Sequence, residues 1–224
     1  MRPLKKFFNM KNNGRLLVCE TFRSIQGESS YAGYPCFFIR LTGCNLRCTY
    51  CDTVYAYEGG QETEIEALID DATGSGLGLV EVTGGEPLLQ ENAFILISGL
   101  ADEGFKVLVE TNGSRDISKL DKRCVAIIDI KTPGSGMAGR MDFGILKRLR
   151  KQDEIKFVIT SPDDYVWSKG VIKEYGLKEE RVLFSPSTGA VKPEDLAGWM
   201  LDDGLSVRLN LQIHKYIFSD RRGV

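Results

Sequence analysis

Cys44, Cys48 and Cys51 stand in one short run, with three residues between the first pair and two between the second. Soft thiolates at this spacing suit an iron–sulfur cluster or zinc. A four-iron cubane held by three thiolates keeps one iron open for a ligand the protein does not supply. A structural zinc site normally closes on four protein ligands, usually delivered as two hairpin pairs. The chain has one histidine, His214, far away in sequence, so a Cys3His site would need long-range folding. The spacing favours a cluster and leaves zinc open.

Other residues invite chemistry only in combination. Thr83-Gly84-Gly85-Glu86-Pro87 reads alone as a strand-ending turn, with glycines free to take positive φ. Arg40 sits in the apolar run Phe38-Ile39-Arg40-Leu41, where an unpaired guanidinium is costly. Either a protein carboxylate pairs with it, or it clamps a ligand carboxylate bidentately. Gln26-Gly27, Thr53, Ser185-Pro186-Ser187 and the lone His214 are ordinary turn, loop and structural residues when taken singly.

The elements that must position these residues alternate along the chain. Strands are expected at Leu16–Glu20, Cys36–Leu41, Leu79–Thr83, Lys106–Glu110, Val125–Ile130, Ile155–Ile159, Arg181–Phe184 and Ser206–Leu209. Helical periodicity appears at Glu64–Ala72, Glu91–Glu103, Asp142–Arg150, Asp163–Tyr175 and Pro193–Asp202. Asp163 is the expected cap of its helix. Repeated strand–helix units with buried strands imply an α/β fold with a mainly parallel sheet. The cysteine loop, the Gly-Gly turn, Thr111-Asn112-Gly113 and Thr132-Pro133-Gly134 all follow strand ends, the edge that carries active sites in barrel-type folds.

Composition bounds the rest. At 224 residues with 42% hydrophobic content, the chain suits one domain with a substantial core. A formal charge of -2 argues against a general nucleic-acid binder. The N-terminus lacks the apolar segment of a signal peptide, and no stretch has the roughly 20 apolar residues of a membrane span. Cys19, Cys36 and Cys124 are scattered and read as reduced thiols, so a cytoplasmic protein is expected.

In combination the motifs point further. The Cys-x3-Cys-x2-Cys loop with Tyr50 before its last cysteine, followed by Gly84-Gly85-Glu86-Pro87, resembles the radical S-adenosylmethionine enzymes. Ser24-Ile25-Gln26-Gly27-Glu28, Gly33-Tyr34-Pro35, Cys51-Asp52-Thr53 and His214-Lys215-Tyr216 narrow this. The whole arrangement resembles the 7-carboxy-7-deazaguanine synthase family, from about Val18 to Phe218. Residues 1–15 then stand as an N-terminal extension and 16–224 as a single radical S-adenosylmethionine domain.

That resemblance implies a partial or modified (β/α) TIM-type barrel. It also implies radical ring contraction of 6-carboxy-5,6,7,8-tetrahydropterin to 7-carboxy-7-deazaguanine with loss of ammonia, in queuosine or deazapurine biosynthesis. The implied cofactors are a [4Fe-4S] cluster on Cys44, Cys48 and Cys51, S-adenosylmethionine on the open iron, and magnesium at Thr53. Tyr50, Cys51, Asp52, Gly85, Glu110, Asn112, Asp129, Lys131, Ser185 and Ser187 match cosubstrate positions. Asp129-Ile130-Lys131 stands where the family often has Ser-Pro-Lys, which weakens a side-chain role for Asp129. Ile25, Gln26, Gly27, Arg40, Thr83, His214 and Lys215 match substrate positions. A flavodoxin- or ferredoxin-type reductant and a homodimer are implied partners. A glycyl-radical activase would share the cysteine loop and Gly-Gly-Glu-Pro without needing Gln26-Gly27-Glu28 or Thr53. A non-catalytic metal or electron-transfer module would need a fourth protein ligand.

Overall fold

A computed structural model of the protein describes residues 14–219 and 221–224. Most of the expected N-terminal extension, residues 1–13, lies outside the described residues; Arg15 already opens the first strand. The strands are β1 (Arg15–Ile25), β2 (Pro35–Leu41), β3 (Gln61–Glu64), β4 (Leu79–Gly84), β5 (Lys106–Thr111), β6 (Val125–Ile130), β7 (Glu154–Ile159), β8 (Val182–Pro186) and β9 (Arg208–Leu209). They form one sheet in the order β3-β1-β2-β4-β5-β6-β7-β8-β9. From β2 to β9 every pairing is parallel, while β1 runs antiparallel to both neighbours. The sheet does not close on itself, as expected of a partial barrel.

Helices α1 (Ile65–Gly74), α2 (Asn92–Asp102), α3 (Pro162–Tyr175) and α4 (Pro193–Asp202) connect consecutive strands, and a short α5 (Ile213–Phe218) follows β9. The cap of α3 is Ser161, whose hydroxyl accepts from the Asp164 N–H, rather than Asp163; Pro162 takes the first helical turn. The expected helix at Asp142–Arg150 is instead a 3-10 segment, Phe143–Arg148. Phe143, Leu146 and Leu149 recur every third residue and reach the core together, the repeat of the tighter helix. Gly144 further weakens an α-helix there.

β1 runs five residues past its expected end, because beyond an irregularity between Val18 and Glu20 it continues to pair with β2 from Arg40 back to Pro35. β3 and α5 escape a search for apolar periodicity. β3 is a polar, largely exposed edge strand, and α5 has no buried residue.

The strands bury both faces, with different content. One face packs against the helices through the main core, including Leu16, Ile39, Val82, Val109, Ile128, Phe157 and Phe184. The inner face is apolar only near the strand starts, where Cys36, Phe38, Leu79, Leu108, Val125, Ile127 and Leu183 form a second cluster with Phe22. Side chains alternate along a strand, so the next inward positions are Arg40, Glu81, Thr83, Glu110, Asp129 and Ser185. The barrel therefore has an apolar floor and a polar interior above it.

The open side is bridged by the loop between β1 and β2. Gln26 N–H donates to the Tyr34 carbonyl and Gly33 N–H to the Gln26 carbonyl, both at 2.8 Å. Across the gap, Ser29 N–H reaches Asn210 Oδ1 at 2.8 Å, and Ser30 donates to the Glu154 carboxylate on β7. Ile213 N–H, at the start of α5, donates to the Gly27 carbonyl at 3.0 Å. Among the described residues, no helix is long and apolar enough to cross a membrane.

Candidate active site

The polar interior opens into a cavity of about 720 Å³, within the range of small-molecule sites. Its lining includes Ile25, Gln26, Gly27, Arg40, Cys44, Cys48, Tyr50, Cys51, Asp52, Thr53, Thr83, Gly85, Glu110, Asn112, Asp129, Lys131, Ser185, Ser187, His214 and Lys215. Every candidate position from the sequence thus meets in one place. The shared position follows from topology, since parallel strands deliver their ends to the same edge.

The cysteine loop is held by backbone contacts on three sides. Gly43 N–H donates to the Ala56 carbonyl, Glu86 N–H to the Gly43 carbonyl, and Thr49 N–H to the Ser135 carbonyl. A Cβ on Gly85 would lie 2.4 Å from the Gly43 oxygen and 2.6 Å from Cys44 Cβ, so the glycine is what lets the two loops meet. Glu86 is fully buried and ties this turn to the end of β5. Its carboxylate accepts from Leu88 N–H at 3.0 Å, from Asn112 N–H at 2.6 Å and from the Thr111 hydroxyl.

Two donors also face sulfur. Leu46 N–H lies 3.4 Å and Asn112 Nδ2 3.9 Å from Cys44 Sγ. All three thiols are half-buried at the cavity. His214 packs closely on Gly27, where a Cβ would lie only 1.8 Å from its Nδ1. Among the described residues, no group of three or more His, Cys, Asp or Glu side chains is arranged to hold a single metal ion. Tyr50 Oη and Asp129 Oδ1 are buried without a hydrogen-bond partner and line the same cavity. Orphaned polar atoms of this kind await a ligand.

The deeper wall is charged. Lys156 Nζ on β7 lies 2.7 Å from Glu28, 2.6 Å from Glu110 and 3.5 Å from Asp129. Lys131 pairs with Asp129 at 2.9 Å. Asp129, whose departure from the family pattern cast doubt on it, is thus a buried and doubly paired carboxylate with one free oxygen. Burial would raise the Glu28 carboxyl, but the Lys156 ammonium and the Gln212 amide hold it below its ordinary value. Burial, with repulsion from Glu28, Glu81 and Asp129, pushes Glu110 up to about 8 despite the adjacent Lys156.

Around Arg40 the structure shows the pairing with a protein carboxylate that the sequence raised. Its Nε donates to Glu20 at 2.8 Å, and Glu20 also accepts from the Tyr55 hydroxyl at 2.9 Å. The guanidinium lies 5.7 Å from the Phe22 ring centre and 5.9 Å from that of Tyr55. The salt bridge uses Nε and leaves the terminal fork for a second carboxylate. Thr53 Oγ1 donates to Asp52 Oδ1 at 2.9 Å, and Asp52 Oδ2 meets Lys215 Nζ at 2.6 Å, joining the cysteine loop to α5. Ser185 Oγ accepts from Asn210 at 2.7 Å, and Ser187 N–H donates to the Ile159 carbonyl.

Glu28, Glu81, Glu86, Lys156 and Gln212 were not singled out as site residues. For Glu81 and Lys156 a signal existed, since each is a charge flanked on both sides by apolar strand residues, as Arg40 is.

Residues 38–132 match the model of the radical S-adenosylmethionine superfamily. The 7-carboxy-7-deazaguanine synthase of Chlorobaculum tepidum is 44% identical to this chain, over 96% of it and 100% of the relative. That of Koribacter versatilis is 43% identical, over 92% of this chain and 99% of the relative. In fold, the chain resembles the crystal structure of QueE from Escherichia coli with a TM-score of 0.72, at 21% identity over 88% of this chain and 94% of that one. With these identities over nearly the whole of both chains, and with the cysteine loop and the Gly-Gly turn lining one cavity, the chain belongs to the 7-carboxy-7-deazaguanine synthase family.

Proposed function

We propose that this chain converts 6-carboxy-5,6,7,8-tetrahydropterin to 7-carboxy-7-deazaguanine with loss of ammonia, a step of queuosine and deazapurine biosynthesis. The observation that carries this reading is a single cavity with the three thiols on one wall and the Arg40 fork on another. When bound, a [4Fe-4S] cluster and S-adenosylmethionine supply the hydrogen-abstracting radical of this chemistry.

The protein's part is to bind, orient and exclude water. Cys44, Cys48 and Cys51 would hold three irons of the cluster. Gly85, Glu110, Asn112, Ser185 and Ser187, with the Tyr50–Asp52 backbone, surround the cosubstrate, and Lys131 holds Asp129 beside it. Arg40 offers its terminal fork to the substrate carboxylate, while Thr83, His214, Lys215 and the Ile25–Gly27 loop border the ring. Thr53 would offer its hydroxyl oxygen to magnesium, a hard cation suited to oxygen ligands. The loop over the open side shields the reaction from solvent. A flavodoxin- or ferredoxin-type protein delivers the electron, the working form is a homodimer, and the protein acts in the cytoplasm.

The test is anaerobic turnover of the carboxylated tetrahydropterin by the cluster-loaded protein, with and without magnesium. Formation of the deazaguanine is expected, and its absence under loaded conditions would remove the reading.

A further inference from the structure

Glu81 is a buried acid of this site that, among the described residues, pairs with no cation. It lies on β4, in register with Phe38 of β2 and one inward position below Thr83, which pairs with Arg40. It lines the cavity and is 7% exposed. Gln26 Nε2 donates to its Oε2. The orientation of that amide is set from its other end, because Gln26 Oε1 accepts the Glu28 backbone N–H at 3.0 Å. Gln26 must therefore present its N–H to Glu81. The nearby cations are taken, Arg40 Nε by Glu20 and Lys156 by Glu28 and Glu110. Among the described residues, no ion pair reaches Glu81. A buried carboxylate with one amide donor is short of partners. Burial, partly offset by Gln26, pushes its carboxyl up to about 7.

The surroundings specify what would complete it. Phe22 and Phe38 stack at 4.9 Å with an interplanar angle of 6° and both line the cavity, giving a flat apolar surface beside Glu81. Arg40 stands one inward position above, about 6.6 Å along the strands. A flat bicyclic ligand with a carboxylate at one end and paired N–H donors at the other matches this sequence of groups.

We propose that Glu81 reads the aminopyrimidinone edge of the pterin, accepting parallel hydrogen bonds from the ring N–H and the 2-amino group, with Gln26 as its positioning residue. The assignment rests on the pterin reading above. A carboxylate suits two adjacent N–H donors for the same reason that it suits a guanidinium. A ligand with a 2-oxo group in place of the 2-amino group would lose one bond and set oxygen against oxygen, so Glu81 would select between them.

The experiment is calorimetric titration of the cluster-loaded protein, with S-adenosylmethionine and magnesium present, using two non-reacting ligands, 6-carboxypterin and 6-carboxylumazine. Wild type is expected to prefer the pterin by about tenfold or more. Glu81→Gln is expected to reverse the order, because its amide oxygen accepts the ring N–H and its amide N–H meets the 2-oxo group. Glu81→Ala is expected to bind both weakly and without preference, and it carries the test if the glutamine variant is insoluble. A variant that keeps the wild-type preference would overturn the assignment of Glu81 while leaving the pterin reading intact. Failure of wild type to bind either ligand would remove the pterin reading, and this assignment with it.

Discussion

Lys156 Nζ on β7 lies 2.7 Å from Glu28 Oε2 in the loop between β1 and β2, so one buried ion pair spans the open side of the barrel. The same ammonium meets Glu110 at 2.6 Å. The lysine joins three elements that are distant in sequence and holds the bridging loop over the cavity.

Removing that charge strands the carboxylates around it. Lys156→Met is expected to destabilise the protein by about 3–5 kcal/mol, the usual cost of breaking a buried pair from one side. Adding Glu28→Gln should recover part of the loss, so the double variant falls short of the sum of the singles. Urea unfolding of the four proteins measures the difference. Additive losses would show that the two side chains do not act as a pair.

The charged wall of the cavity makes stability depend on pH. Glu110 is raised to about 8 and Glu81 to about 7, against about 4.3 in an unfolded chain. A carboxyl raised by folding binds its proton more tightly in the folded state. Its contribution is complete below about pH 4 and is lost as pH rises through the folded value. Glu28, held below its ordinary value, works in the opposite sense and is lost on acidification. The protein without its cofactors is therefore expected to lose stability from about pH 4, where these carboxyls ionise in the unfolded chain, to about pH 8, where the folded ones have ionised too. Glu110→Gln should flatten that decline, and urea midpoints across the range report it. A decline of unchanged steepness would exclude Glu110 as its source.

Gly85→Ala tests the contact between the two loops. A methyl group would press on the Gly43 oxygen and Cys44 Cβ at 2.4 and 2.6 Å, displacing the first cysteine while leaving the core untouched. The variant should fold, with an unchanged far-ultraviolet spectrum, and retain well under half of the wild-type iron after reconstitution. Full iron loading would mean that the loops can separate without cost to the cluster.

His214 and Gly27 make a second close contact, with Nδ1 1.8 Å from where a Cβ would stand. Gly27→Ala must move the imidazole and strain the hydrogen bond from Ile213 N–H to the Gly27 carbonyl. The Michaelis constant for the pterin should rise about tenfold, while iron content stays unchanged. An unaltered constant would argue against a substrate role for α5.

Thr53→Ala isolates the magnesium assignment. Loss of the hydroxyl should shift half-maximal activity to several-fold higher magnesium. Normal magnesium dependence in the variant would reject Thr53 as a ligand.

Much of this site could be read before the fold was known, because its chemistry is carried by short local runs. The cysteine spacing, the Gly-Gly-Glu-Pro turn and the Gln-Gly-Glu loop each sit within a few residues, and all of them line the cavity. Strands such as Val125–Ile130 and helices such as Pro193–Asp202 were legible for a similar reason, since their apolar pattern is local. The exposed β3 and the six-residue α5 lack that pattern. The 3-10 segment at Phe143–Arg148 carries a three-residue repeat that resembles a helical one.

By itself, then, the sequence determined the cysteine spacing, the order of alternating strands and helices, and the edge where the loops gather, because neighbouring residues encode each of them. Tertiary structure alone decided which charges meet. Glu28, Glu110 and Asp129 converge on Lys156 from three other elements, and His214 packs closely on Gly27. Gln26 turns its amide toward Glu81 because a backbone N–H two residues on occupies the other end. Such pairings depend on strand register and on how far the partial barrel curves, and no local pattern records either one.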